Sequence, residues 1–351
     1  MKILFDVAYL YYLPHFTPVL EELKERGVEL GVVFREEPPA NIKHQLEPLA
    51  ACHVISDNQL INFYDSQSAD WIIFGNSSQI PAKLSCSSKT AMIMHGLGPK
   101  SAYYNGSNCP IEYRFVESEI RQKTLQKMFP DKVFTVTGYT KLDPLINGTC
   151  EPLDLTEKGL IPEKKTILYS PTFFPSTIEN FPKDWPEQFA DYNILIKPHY
   201  LSLIKSAYKK QRELLEHWAN YPNVYLAKPE EQSLLPFMAT ADIMISETSS
   251  ALFEFMALNK PVIIAHFLKL RIGYWGLLKF RFKKRLSADY KIFNEIGTNI
   301  NHYHQLKSAV EDNLANPTLF EPQRLSYIEQ ILGTVDGHCS ARVADYLLNQ
   351  P

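Results

Sequence analysis

The sequence predicts an α/β protein of two doubly wound, Rossmann-like halves facing a central cleft. Three observations lead there. Short apolar runs of strand length alternate with longer segments whose apolar residues recur at helical spacing. The chain has 351 residues, a length that suits about two domains. A break in composition, with Gly148, Pro152, Gly159, Pro162 and mixed charges, runs from Asn147 to Lys165. The first domain is therefore placed at residues 1–147 and the second, with a C-terminal helix, at residues 165–351.

The first unit opens with the apolar run Lys2–Ala8, which reads as a strand, and Leu13-Pro14-His15, which reads as a turn. Phe16, Val19, Leu20 and Leu23 then recur at helical spacing up to Arg26, and Gly27 closes that helix. Glu29–Phe34 is again of strand length. A strand–helix–strand unit implies parallel strands joined by a crossover helix. Asp70–Gly75, Thr90–His95 and Lys132–Gly138 continue the strands, and Glu117–Phe129 is helical. After the break, strands are expected at Lys165–Ser170, Tyr192–Lys197, Val224–Ala227, Ile243–Ser246 and Pro261–Ala265. Helices are expected at Leu203–Tyr221, Gln232–Ala239, Ser249–Ala257 and Tyr303–Ala315. In this architecture ligands bind beyond the carboxyl ends of the strands, at a cleft.

Composition removes several classes of function. Charged residues make up 21% and hydrophobic residues 45%, which supports a buried core and argues against disorder. The net charge is -3, so no global field exists to hold a nucleic acid. No apolar run approaches the roughly 18 residues that span a bilayer. Asp6 interrupts the N-terminal run, which reads as a strand rather than a signal peptide. The five cysteines are scattered, with no metal-ligand spacing, and read as reduced thiols of a cytoplasmic protein. There is no G-x-x-x-x-G-K-[ST] loop, no G-x-G-x-x-G after the first strand and no Asp-x-Asp pair, so no bound metal or other cofactor is expected.

Three patterns fall at predicted strand ends. In Ser246-Glu247-Thr248-Ser249-Ser250, a strand leads through hydroxyl residues into a helix, a place for an anion. Glu254 lies about 6 Å further along that helix axis, where a carboxylate can accept both hydroxyls of a ribose. The same residues also fit an ordinary helix cap. In Met94-His95-Gly96-Leu97-Gly98-Pro99-Lys100, a histidine able to act as a general base precedes two glycines that allow close backbone approach. A structural histidine in a turn fits equally. In Ile196-Lys197-Pro198-His199, Lys197 and His199 can neutralise a phosphate, although Lys-Pro is also a plain turn. The other histidines, His15 among them, read as surface or satisfied core positions.

Taken in order, these residues resemble the CDP-glycerol glycerophosphotransferases of teichoic-acid and related capsule assembly. His95-Gly-Leu-Gly-Pro-Lys100 is similar to that family's His-Gly-x-x-x-Lys stretch, and Gly138-Tyr139-Thr-Lys-Leu-Asp143 to its Gly-Tyr-Pro-Arg-x-Asp segment. Tyr169-Ser-Pro171-Thr172 resembles its Tyr-Ala-Pro-Thr, and Asp336-Gly337-His-Cys-Ser340-Ala-Arg342 the start of its final helix. Thr140-Lys141 stands where the family has Pro-Arg, and Ser246-Glu247-Thr248 where it has Asp and an aromatic residue.

The resemblance implies a GT-B fold and transfer of a polyol phosphate, glycerol phosphate first, from a CDP-linked donor to a glycan, polyol-phosphate or lipid-linked acceptor. For such a transfer His95 would be the base, and His199 and Lys197 would stabilise charge on the pyrophosphate. Thr248, Ser249 and Ser250 would bind donor phosphate, Glu254 the ribose, and Gly96, Gly98, Lys100 and Thr172 would line the cleft. A nucleotide-sugar glycosyltransferase, a hydrolysing sugar-nucleotide 2-epimerase and a non-catalytic nucleotide- or glycan-binding domain would use the same contacts.

One stretch stands apart. His266–Lys291 holds eight Lys and Arg residues against Asp289 alone, a local charge of +7 (8 − 1) among aromatic residues. It suits a polyanionic acceptor or an anionic membrane surface, and also a solvated basic face.

Overall fold

The computed structural model describes residues 1–98, 101–270 and 291–350. Lys100 and the stretch Arg271–Tyr290 lie outside the described residues, as does the side chain of Lys291. The chain forms two compact units, Met1–Asn147 with Glu329–Pro351, and Gly148–Ile328.

In unit 1 the strands are β1 (Lys2–Val7), β2 (Glu29–Phe34), β3 (Ala51–Val54), β4 (Trp71–Phe74), β5 (Lys89–Ile93), β6 (Tyr113–Val116) and β7 (Val133–Val136). They form one parallel sheet in the order β3-β2-β1-β4-β5-β6-β7. Helices α1 (Leu13–Glu25), α2 (Ala40–Leu46), α3 (Leu60–Gln67), α4 (Ser101–Asn105), α5 (Glu119–Met128) and α6 (Asp143–Ile146) connect or follow them. The expected turn at Leu13-Pro14-His15 is instead the first turn of α1. Proline is tolerated there because an N–H in the first turn has no intrahelical acceptor to lose. Strands β3 and β6 are additions to the sequence reading. Cys52, His53 and Arg114 break their apolar pattern, and only pairing with neighbours makes strands of them.

Unit 2 repeats the plan. Strands β8 (Thr166–Tyr169), β9 (Asn193–Ile196), β10 (Val224–Leu226), β11 (Ile243–Ser246), β12 (Val262–Ala265) and β13 (Thr298–Ile300) form a parallel sheet, order β10-β9-β8-β11-β12-β13. Helices α7 (Tyr200–Ile204), α8 (Lys209–Trp218), α9 (Leu235–Thr240) and α10 (Ser250–Met256) flank it, followed by helices Leu306–Ala315 and Glu321–Ile331. The helix expected over Leu203–Tyr221 is divided into α7 and α8 by a 3-10 turn at Ser206–Tyr208. In both sheets the strand order reverses beside the first strand, so each has its switch point there, between β1 and β4 and between β8 and β11.

The C-terminal helix Cys339–Asn349 corrects the expected domain assignment. Its Val343, Ala344 and Leu347 join the core that α1 forms with the sheet of unit 1. The helix start is pinned there too. The Asp143 carboxylate accepts the N–H groups of Cys339 (3.1 Å) and Ser340 (2.6 Å). Asp143 thus does the work of an N-cap from far away in sequence, satisfying N–H groups that the helix itself leaves open. Gly138 has φ +89°, and a Cβ there would lie 2.4 Å from Cys339 Sγ, so only glycine lets the two segments meet. Arg342 donates to the Thr137 carbonyl (2.8 Å) and pairs both oxygens of Asp336 (2.9 and 3.0 Å).

Candidate active site

Register sets up the unit 1 constellation. Asp6, Phe74 and Met92 stand level on β1, β4 and β5, so the residues that follow emerge together at the carboxyl edge. His95 leaves β5 with its backbone N–H donated to the Gly75 carbonyl (3.1 Å). Its ring Nδ1 lies 2.9 Å from the same oxygen. A carbonyl only accepts, so Nδ1 carries the proton and Nε2 keeps a lone pair in the neutral ring. Tyr11 and Tyr12 crowd the imidazole, each ring centroid 5.0 Å away. Burial pulls the His95 pKa below its ordinary 6.5, and the nearby Lys141 charge adds to that. His95 is therefore a neutral base at physiological pH.

The neighbours of His95 were not legible in sequence. His15, read as ordinary, is buried close enough to His95 to feel its charge. His15 Nδ1 has no hydrogen-bond partner among the described residues. Burial holds its pKa well below 6.5, with the charges of Lys141 and His95 acting in the same direction. Behind Tyr12, the buried Asp6 accepts from Tyr64 Oη (2.7 Å) and pairs with Arg35. The one trace of this in sequence was a lone carboxylate inside an apolar strand.

The two glycines of the motif serve the protein before any ligand. A Cβ on Gly96 would lie 2.0 Å from the Tyr103 ring. Gly98 has φ +96°, a conformation that side chains resist, and its carbonyl accepts from Arg121 Nη2 (2.7 Å).

In unit 2 the residues after β9, β8 and β11 come out side by side, because Ile196, Tyr169 and Ile245 are level in the sheet. That brings Lys197 and His199, Thr172, and Thr248 to Ser250 to one edge. Lys197 is 8% exposed, its Nζ 5.9 Å from the centroid of the Phe237 ring on α9. His199 is exposed and begins α7, its Nδ1 accepting the N–H of Leu201 (3.2 Å). That bond requires a lone pair on Nδ1, so the neutral ring carries its proton on Nε2. The His199 ring rests 4.7 Å from that of Phe173.

Ser249 is the N-cap of α10, its Oγ accepting from Ala251 N–H (3.3 Å), the capping use that the sequence also allowed. The hydroxyl proton of a capping serine is still available to donate. Glu254 sits one turn into α10 and is 3% exposed. The Thr172 hydroxyl donates to the Pro175 carbonyl (2.7 Å), and its backbone N–H to Glu247 (2.7 Å).

Glu247, in the segment Ser246–Thr248 where the resemblance has Asp and an aromatic residue, is the unforeseen organiser of this edge. It is buried and also accepts from Thr177 N–H (2.7 Å), Thr177 Oγ1 (2.6 Å) and Ser176 Oγ (3.2 Å). Burial raises its pKa above the usual carboxylate value, against the pull of these bonds. Among the described residues no group of three or more His, Cys, Asp and Glu side chains is placed to hold a metal ion.

Fold and site together define a GT-B protein with a neutral histidine at the strand edge of its first unit and, at that of the second, a lysine, a histidine and several hydroxyl side chains. Residues 83–269 match the family model for CDP-glycerol:poly(glycerophosphate) glycerophosphotransferase, and the chain belongs to that family. It is 33% identical over 113 residues to the teichoic acid glycerol-phosphate primase of Bacillus spizizenii, and 27% identical over 154 residues to that of Bacillus subtilis. These matches cover 31% and 43% of this chain, and 28% and 39% of the two primases. Among solved structures, the wall teichoic acid polymerase TagF superposes with a TM-score of 0.70 at 15% identity, over 99% of this chain and 88% of that one. A UDP-GlcNAc 2-epimerase from Neisseria meningitidis gives 0.63 at 15% identity, over the full length of both. At such identities the structural likeness concerns the fold.

Proposed function

We propose that this protein transfers a polyol phosphate, glycerol phosphate first, from a CDP-linked donor to an acceptor hydroxyl in cell-wall or capsule polymer synthesis. The observation that carries the reading is the His95 ring, neutral, with Nδ1–H engaged by Gly75 and Nε2 available to accept a proton. The family membership supplies the donor class. In the proposed reaction the acceptor hydroxyl gives its proton to His95 Nε2 as its oxygen bonds to the outer phosphorus. The bond from that phosphorus to the bridging oxygen breaks, and CMP leaves. Lys197, His199 through Nε2–H, and the hydroxyls of Thr248, Ser249 and Ser250 balance the charge on the pyrophosphate. Glu254 takes the ribose, and Thr172, Gly96, Gly98 and Lys100 shape the surroundings. These donors stand in for the divalent ion that phosphoryl transfer enlists elsewhere, so activity is expected without metal.

The test incubates the protein with CDP-glycerol, CDP-ribitol and UDP-sugars, with and without EDTA, and identifies both products. CMP release with glycerol phosphate on the acceptor, unaffected by EDTA, is expected. UDP release with sugar transfer would replace the reading by glycosyl transfer, and loss on chelation restored by Mg²⁺ would remove the metal-independent scheme.

The protein is further read as cytoplasmic, from its scattered cysteines, and as peripheral on an anionic membrane face, from the basic sequence between His266 and Lys291. Among the described residues no helix is long and apolar enough to cross a membrane. Replacing Lys283, Lys284 and Arg285 by Gln should lower sedimentation with anionic liposomes in a salt-sensitive way while CDP binding persists. Unchanged sedimentation at low salt would leave the stretch a solvated face.

A further inference from the structure

The Gly75 carbonyl takes two hydrogen bonds from one residue, the backbone N–H of His95 (3.1 Å) and its Nδ1–H (2.9 Å). One oxygen thus sets both where His95 sits and how its ring is turned. Something must hold that oxygen in place. Gly75 follows β4 directly, and a Cβ on it would lie 2.4 Å from the Tyr12 ring. Tyr12 is 3% exposed and lies 5.0 Å from the His95 ring at 33°. The Tyr12 ring therefore fills the space that glycine leaves and walls one face of the imidazole.

We propose that Gly75 and Tyr12 are a positioning pair, which locks His95 in the Nδ1–H tautomer and leaves Nε2 as its proton acceptor. The proposal rests on the reading of His95 as the base, and it adds the parts that make the ring one. The hydrogen bond made by one ring nitrogen decides which nitrogen is basic. Flipping the ring would give up the Nδ1–H bond to Gly75 and turn a C–H towards that oxygen. Neither residue touches the reacting atoms. The titratable groups facing His95 are Tyr11, Tyr12 and His15 from the segment after β1 and from α1, and Lys141 from the turn after β7.

The test uses the full chain. In protein labelled with ¹⁵N-histidine, the His95 signals, assigned by their loss in His95→Gln, should show Nδ1 protonated and Nε2 bare at neutral pH. An Nε2–H form or an even mixture would overturn the proposal, whether or not the protein turns over. Gly75→Ala should mix the tautomers and lower kcat by about 10²-fold, the scale of a small misplacement, with CDP affinity unchanged. Adding Tyr12→Leu removes the ring that the new methyl meets and should return part of that kcat. Should Gly75→Ala not fold, Tyr12→Leu alone should mix the tautomers and move the acid limb of kcat/KM upward as His95 loses its apolar cover. Variants that keep a single Nδ1–H tautomer and wild-type kcat would overturn the pair. If His95→Gln retains wild-type turnover, it is the base reading that falls, and the NMR result stands apart from it.

Discussion

At His95 the Nδ1 proton is committed to a carbonyl, and at His199 the Nδ1 lone pair is committed to an N–H. Identical side chains are thereby given opposite outward character, an acceptor in one unit and a donor in the other. Sequence showed both histidines at strand ends, but a tautomer is decided by a partner brought in by folding. A measurable consequence follows for His95. Its pKa is depressed below 6.5, chiefly by burial, so the ring is charged only when the pH falls below that value. The acid limb of kcat/KM should therefore lie below pH 6.5, with activity level above it until another group titrates. His95→Gln should abolish that limb and cut kcat by ~10²–10⁴-fold, the usual span for a general base. A limb above the ordinary histidine value, or one that survives the substitution, would assign the titration to another group.

Among the elements, the segment from Ser170 to Thr177 shows how a loop is made rigid without regular structure. Ser246 Oγ donates to the Ser170 carbonyl (2.5 Å), and Glu247 gathers Thr172, Ser176 and Thr177. A carboxylate with two oxygens can serve all four of these donors. Replacing Glu247 by Ala strands those donors in a buried place, and the stability loss should be about 3 kcal/mol, the upper end for one buried polar group left unsatisfied. Glu247→Gln should cost much less, since one oxygen remains and the cost of burying a charge disappears. Urea unfolding of the full chain measures both, and CDP titration should show weaker binding in the Ala variant. An Ala variant with an unchanged midpoint would mean that the loop holds itself. Here sequence went part of the way. It located the helix start at Ser249–Ser250, but it could not say that Ser249 spends its Oγ acceptor on a cap.

For the molecule as a whole, the decisive event is the return of the chain to its first unit within the helix Glu321–Ile331. Two motifs nearly two hundred residues apart, Gly138–Asp143 and Asp336–Arg342, turn out to be the two halves of one fastening. Asp143→Ala removes the acceptor for two buried helix N–H groups. Loss of a cap costs about 1 kcal/mol, and stranded donors raise the expected total to about 2 kcal/mol. Hydrogen exchange should report faster exchange along Cys339–Asn349 before the rest of unit 1 opens. Equal protection of that helix in variant and wild type would show that its apolar face alone retains it.

Apolar runs and helical spacing were enough to place most strands, the first helix and both patterns around His95 and Lys197–His199. Those signals are local: they depend on which residues alternate within a few turns of chain. Pairing order, the strands at Ala51–Val54 and Tyr113–Val116, and the home of the C-terminal helix depend on partners distant in sequence. So do the surroundings of His95. Tyr12, His15, Gly75 and Lys141 come from three separate connections, and their shared effect on one imidazole exists only once β1, β4 and β5 lie side by side. Residue type limits what chemistry a position can perform. Burial and hydrogen-bond partners, which arise only on folding, decide the charge state and the atom through which it is performed.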